Sequence, residues 1–131
     1  MVNIQIKGID ELIKKLGMFK ASEILEPTMR WALDRLWRQI VPYPAKPIGS
    51  TYRRTMMLGK TWNKKVDQTS TRLVGSLGVD LGIVPYARYV QDRDRQAWMH
   101  KGRWKTIQDV AEKETGTIRR QFEIEIERSL R

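Results

Sequence analysis

The chain contains no cysteine and only one histidine, His100. Without cysteine there is no disulfide framework, no thiolate metal site and no thiol nucleophile, a composition that suits a reducing compartment. A hydrolase dependent on histidine would have to use His100, with Asp92 or Asp94 as the orienting acid. That spacing matches no triad or ligand signature, so a structural or rim histidine is the plainer reading. Long hydrophobic runs are missing too: nothing approaches the roughly 18 consecutive apolar residues of a membrane span. The first residues alternate in polarity instead of forming a basic region and an apolar run, and the protein is read as cytosolic when made. Gly75, Gly78 and Gly82 fit neither a Walker loop nor a dinucleotide fingerprint. With no complete catalytic, cofactor-binding or metal motif, the expectation is a non-enzymatic protein without a cofactor.

Acidic residues are the other scarcity. Asp and Glu number 15 against 25 Lys and Arg, a formal net charge of +10, which points to acidic partners such as nucleic acid, anionic lipid or an acidic protein surface. The excess is mainly N-terminal: residues 1–65 hold thirteen Lys and Arg against five Asp and Glu, and residues 66–131 hold twelve against ten. Six of the basic residues, Lys46, Arg53, Arg54, Lys60, Lys64 and Lys65, are interleaved with Tyr43, Tyr52 and Trp62. Cations among stacking rings are the chemistry of a phosphate-tracking surface, although no standard nucleic-acid-binding motif accompanies them. A solvated basic face that meets an acidic protein is the alternative.

What is present is one domain's worth of core, 40% hydrophobic over 131 residues, so residues 1–131 are read as a single domain. Val2, Ile4 and Ile6 alternate with polar residues and predict a strand over 2–7 ending at Gly8. Ile9, Leu12, Ile13 and Leu16 predict a short amphipathic helix closed by Gly17. From Ser22 to Val41 the residues Leu25, Met29, Ala32, Leu33, Leu36 and Ile40 form a helical stripe. Glu26, Arg30, Asp34 and Arg38 form an i, i+4 charge ladder beside it. Pro27 suits the first helical position, with Ser22 to Glu26 as a separate turn; deeper inside the helix it would force a kink. Trp31 and Trp37, away from the middle of the stripe, are read as secondary core residues. Residues 60–66 and 71–79 predict an antiparallel hairpin, its strands separated by Asp67, Gln68 and Ser70, with the glycines of the second strand marking bulges or close backbone contacts.

Thr106 and Asp109 resemble a capping box, and Ile107, Val110, Ala111, Ile118, Phe122 and Ile126 trace one face of a closing helix. The run 122–127 alternates strictly and also suits a strand; its helical flanks favour helix. On that helix Glu123, Glu125 and Glu127 are spread around the axis, a solvated run and not an acid/base pair. Ile124 then points about 160° away from Phe122 and Ile126. Ile124, with Leu130 or Trp98, is therefore a candidate contact with another subunit or another protein, where Glu123 and Glu127 could meet the N-terminal basic excess; a single exposed Ile is the equal alternative. These elements together give an α+β fold, a short antiparallel sheet packed against a long helix and a C-terminal helix.

Two segments carry a family resemblance. Residues 52–62, YRRTMMLGKTW, resemble the Tyr-x-Arg-Thr-Gly-x-Leu-x-x-Ser-Trp element of small tailed-phage neck and tail-completion proteins, through Tyr52, Arg54, Thr55, Leu58 and Trp62, with Thr61 in the Ser position. Met56 stands where the family has Gly, so a turn there must avoid positive φ. The stretch VPYARYVQ at 84–91, continued by Gln96, Ala97, Trp98, His100 and Trp104, resembles the same family's Pro-Tyr-Ala-x-Tyr-Val element through Pro85, Tyr86, Ala87, Tyr89 and Val90. The resemblance implies a structural protein of the virion that forms a ring, commonly a hexamer, at the head-to-tail junction or tail end. It would contact other neck and tail proteins and border phage DNA in the lumen, and it would reside in the host cytoplasm during assembly. No membrane contact is implied. In the core, Tyr86, Tyr89 and Trp62 are expected to form one aromatic cluster joining the sheet to the following loop.

Overall fold

The computed structural model describes residues 2–5, 14–42, 62–68, 73–79, 90–98, 101 and 104–130. In chain order its elements are strand β1 (Val2–Gln5), helix α1 (Met18–Ile40), strands β2 (Trp62–Gln68) and β3 (Leu73–Val79), and helix α2 (Ile107–Leu130). The fold is α+β: a three-stranded antiparallel sheet in the order β1-β3-β2 is packed by the long α1, against which α2 lies.

The helical stripe of α1 is the centre of the core. Leu25, Met29, Ala32, Leu33, Leu36 and Ile40 are all buried, and Ala21, one turn earlier, joins them. Leu73 and Leu77 of β3 meet this stripe from the sheet, and Ile107, Val110, Ile118 and Phe122 of α2 meet it from the other side. Trp37, Trp62, Val66, Ile126 and Leu130 are partly buried around the edge of the same cluster.

The helix begins earlier than its sequence suggests. Pro27 lies inside α1, nine residues after its start, and not at the first helical position. A proline there removes one i to i−4 bond and costs about 3 kcal/mol. Burying Ala21, Ser22 and Leu25 in the turn before it offsets that cost, since one fully buried Leu contributes about 1.5–3 kcal/mol. Pro27 itself is exposed, so its ring displaces no core atoms. Gly17 follows the helical residues 14–16 and caps α1 at a φ of 81°, a conformation that favours glycine.

The hairpin is present, and β2 runs on through two residues expected in the turn: Asp67 and Gln68 belong to the strand. Its register is continuous from Trp62 opposite Val79 to Gln68 opposite Leu73, so neither Gly75 nor Gly78 marks a bulge. Gly75 marks a close approach: a Cβ there would fall against the Met29 side chain, 2.8 Å from Cγ. β1 pairs with the other edge of β3, Val2 opposite Leu77 and Gln5 opposite Val74.

In α2, Asp109 donates its backbone N–H to Thr106 Oγ1 at 3.2 Å, one half of a capping box. Residues 122–127 are helical, because the buried positions Ile107, Val110, Glu114, Ile118 and Phe122 recur every three or four residues and carry the helix through the alternating run.

Candidate interaction surface

Residues 90–98 form a strap across one end of the molecule. Val90 and Gln91 are buried, and Gln91 donates from Nε2 to the carbonyl oxygen of Ile40 at 2.8 Å, satisfying one of the carbonyls left open at the end of α1. Gln96 closes the strap on itself, donating from Nε2 to the carbonyls of Val90 (2.6 Å) and Trp104 (3.2 Å). The far side is laced to α2. Arg93 reaches Asp109 at 2.6 Å and Glu112 at 2.9 Å, its backbone N–H meets Gln108 Oε1, and Gln108 donates back to Asp92. Glu112, above all, raises the Arg93 pKa and keeps the guanidinium charged. Thr106 first, and then Arg93, hold the Asp109 carboxyl below its ordinary range.

Trp98 stands at the end of this strap with 81% of its surface exposed. A large ring presented on a segment fixed at both ends loses little freedom on binding, which is what makes an exposed aromatic an effective anchor. Arg95, Lys101 and Lys105 are exposed along the same loop.

A second exposed aromatic, Trp31 at 37%, lies on the outer side of α1. The Arg35 guanidinium sits 5.7 Å from its ring centroid and also pairs with Glu114 of α2. Glu114 is buried, and Arg35, followed by Gln39, holds its carboxyl below the ordinary 4.5. Open depressions of about 430 and 550 Å³ lie on either side of Trp31, one bordered by Ile24, Thr28, Gln121 and Glu125, the other by Arg30, Asp34 and Arg38.

The basic cluster divides. Lys64 is drawn inward, paired with Asp34 of α1 and 4.6 Å from the Trp37 ring centroid, and Lys65 pairs with Asp67 at 3.4 Å. Both described members thus have internal partners. Lys46, Arg53 and Lys60, with Arg54, Tyr43 and Tyr52, lie outside the described residues. The charge ladder of α1 is likewise split: Glu26 and Arg30 pair at 2.6 Å, while Asp34 turns to Lys64.

Of the residues that carry the family resemblance, Trp62 is half-buried against the core and Val90 is buried. Tyr52, Arg54, Thr55, Leu58, Pro85, Tyr86, Ala87 and Tyr89 lie outside the described residues, as does His100, so the aromatic cluster of Trp62 with Tyr86 and Tyr89 is represented by Trp62 alone. Ile124 is half-buried, and Leu130 is half-buried against the chain's own core. Phe19, 72% exposed, is an apolar surface residue that no sequence pattern singled out, and Trp31, expected as a secondary core residue beside Trp37, is exposed instead, while Trp37 packs against the core. For Trp31 the signal was there: at 3.6 residues per turn it sits about 140° from the middle of the buried stripe and Trp37 about 100°, so only Trp37 reaches the core.

No family model, curated protein or solved structure matches this chain. Among the described residues no group of His, Asp or Glu is placed to hold a metal ion, and no helix is long and apolar enough to cross a membrane.

Proposed function

We propose that this chain is a non-enzymatic assembly protein of a tailed-phage or prophage virion, a ring-forming subunit at the head-to-tail junction that meets other neck and tail proteins. The observation that carries the reading is Trp98, an exposed ring on a strap anchored to both helices, within the stretch whose sequence resembles the neck and tail-completion element. Exposed Trp31 and Phe19 supply further apolar area of the kind a subunit interface uses. The internal pairing of Lys64 and Lys65 supports a structural role over a phosphate-tracking one, because cations already neutralised release fewer counterions on meeting nucleic acid.

A filter-binding titration against duplex and single-stranded DNA and RNA at two salt concentrations tests this reading. Weak binding without sequence or strand preference is the expected result. Tight binding with a steep salt dependence, or RNA cleavage lost on His100→Ala, would replace it with a nucleic-acid-binding protein or a small ribonuclease toxin.

A further inference from the structure

Among the described strands β2 lies at an edge of the sheet. It pairs with β3 over seven consecutive residues without a bulge, and among the described residues no strand covers its other side. Such an edge presents a row of unpaired backbone groups, and its side chains decide what can add to it. On the face turned to α1 lie Trp62, Lys64 and Val66; on the outer face Asn63, Lys65 and Asp67 are all exposed.

We infer that β2 is a self-association edge, pairing antiparallel with the β2 of a second copy about a two-fold axis at Val66. In that register Val66 faces its own counterpart, Lys64 faces Gln68 of the other copy, and Lys65 faces Asp67 of the other copy, twice. Directly opposed opposite charges stabilise a cross-strand pair and like charges destabilise it. The neighbouring registers fail on the same grounds: a shift of two residues one way sets Lys65 against Lys65, and the other way Asp67 against Asp67. A shift of one residue sets the α1-facing side chains of one copy beside the outer-face side chains of the other, which a two-fold axis normal to a continuous sheet does not allow. The Lys65–Asp67 pair within each strand is exposed and 3.4 Å long, so exchanging the two copies' internal pairs for two pairs across the axis sacrifices little. The contact does not rest on the virion reading. A two-fold contact is isologous, so a ring that contains it has dihedral symmetry, whereas a purely head-to-tail ring does not.

The absence of cysteine makes the register directly testable. Lys65→Cys and Asp67→Cys chains, each shown to be folded by circular dichroism, are equilibrated singly and as a mixture in a glutathione redox buffer and run on a denaturing gel without reductant. The mixed pair places the two thiols opposite each other and keeps one Lys65–Asp67 pair beside them, so two-chain species accumulate in the mixture and on the order of tenfold less in either variant alone. Adding Lys65→Asp to the Asp67→Cys chain sets Asp against Asp67 and lowers the mixed yield by a similar factor. Equal yields in the mixture and in the single variants, or a mixed yield indifferent to Lys65→Asp, would overturn the inference.

Discussion

Gln91 Nε2 donates to the carbonyl oxygen of Ile40 at 2.8 Å, and this buried bond joins the strap to the end of the helix at the centre of the core. The last carbonyls of a helix have no partner within it, and one left unsatisfied in a buried site costs about 1–3 kcal/mol. Gln91→Ala is therefore expected to lower the unfolding free energy by about that amount in urea melts. It should also speed amide exchange in residues 90–98 more than in the middle of α1.

Glu114 links the helices through Arg35, which holds its carboxyl below the ordinary value. A carboxyl whose folded pKa lies below its unfolded one binds more protons when unfolded. Its contribution is complete above the unfolded value near 4.5 and is lost as pH falls through the depressed folded value. Thermal melts between pH 7 and 3 should thus show a wild-type loss of stability below about 4.5 that is smaller in Glu114→Gln. Arg35→Ala, which leaves the buried carboxylate without its cation, should lose about 1–3 kcal/mol at pH 7 and recover part of the difference at low pH.

Gly75 lies where α1 comes closest to β3, with Met29 and Leu33 over it, both fully buried. Because the new methyl would press on the Met29 and Leu33 side chains inside the core, Gly75→Ala is expected to cost about 1–3 kcal/mol by overpacking. In a double-mutant cycle with Met29→Ala the cost should shrink, because the shorter side chain opens the space that the new methyl needs. Purely additive losses in chemical denaturation would contradict this close packing.

The parts of the fold that follow one periodicity were legible in the sequence. The stripe from Leu25 to Ile40, the hairpin, and the cap from Thr106 to Asp109 all come from local spacing. Pro27 was misleading because its local cost is set against tertiary burial one turn away, which no local rule counts. The place of β1 beside β3 is a long-range pairing, and the alternation of Val2 and Ile4 names a strand without naming its neighbour. At the surface, residue type announced Lys64 as part of a basic cluster, yet its charge is answered by Asp34, thirty residues earlier in the chain. Trp98 was marked by its aromatic company, but its exposure depends on Gln91, Arg93 and Gln96 fixing the strap from beneath.

Trp98 lies outside the core, and the proposed function makes it an assembly anchor. Native mass spectrometry of the wild-type protein beside Trp98→Ala, with the melting temperature of each, tests it most directly. At 81% exposure the ring contributes little to the fold, so the melting temperature should hold within a few degrees while closed oligomers of the wild type, six chains in the family-like ring, fall to smaller species. A wild-type chain that stays monomeric at high concentration, or a Trp98→Ala protein that assembles identically, would contradict the account.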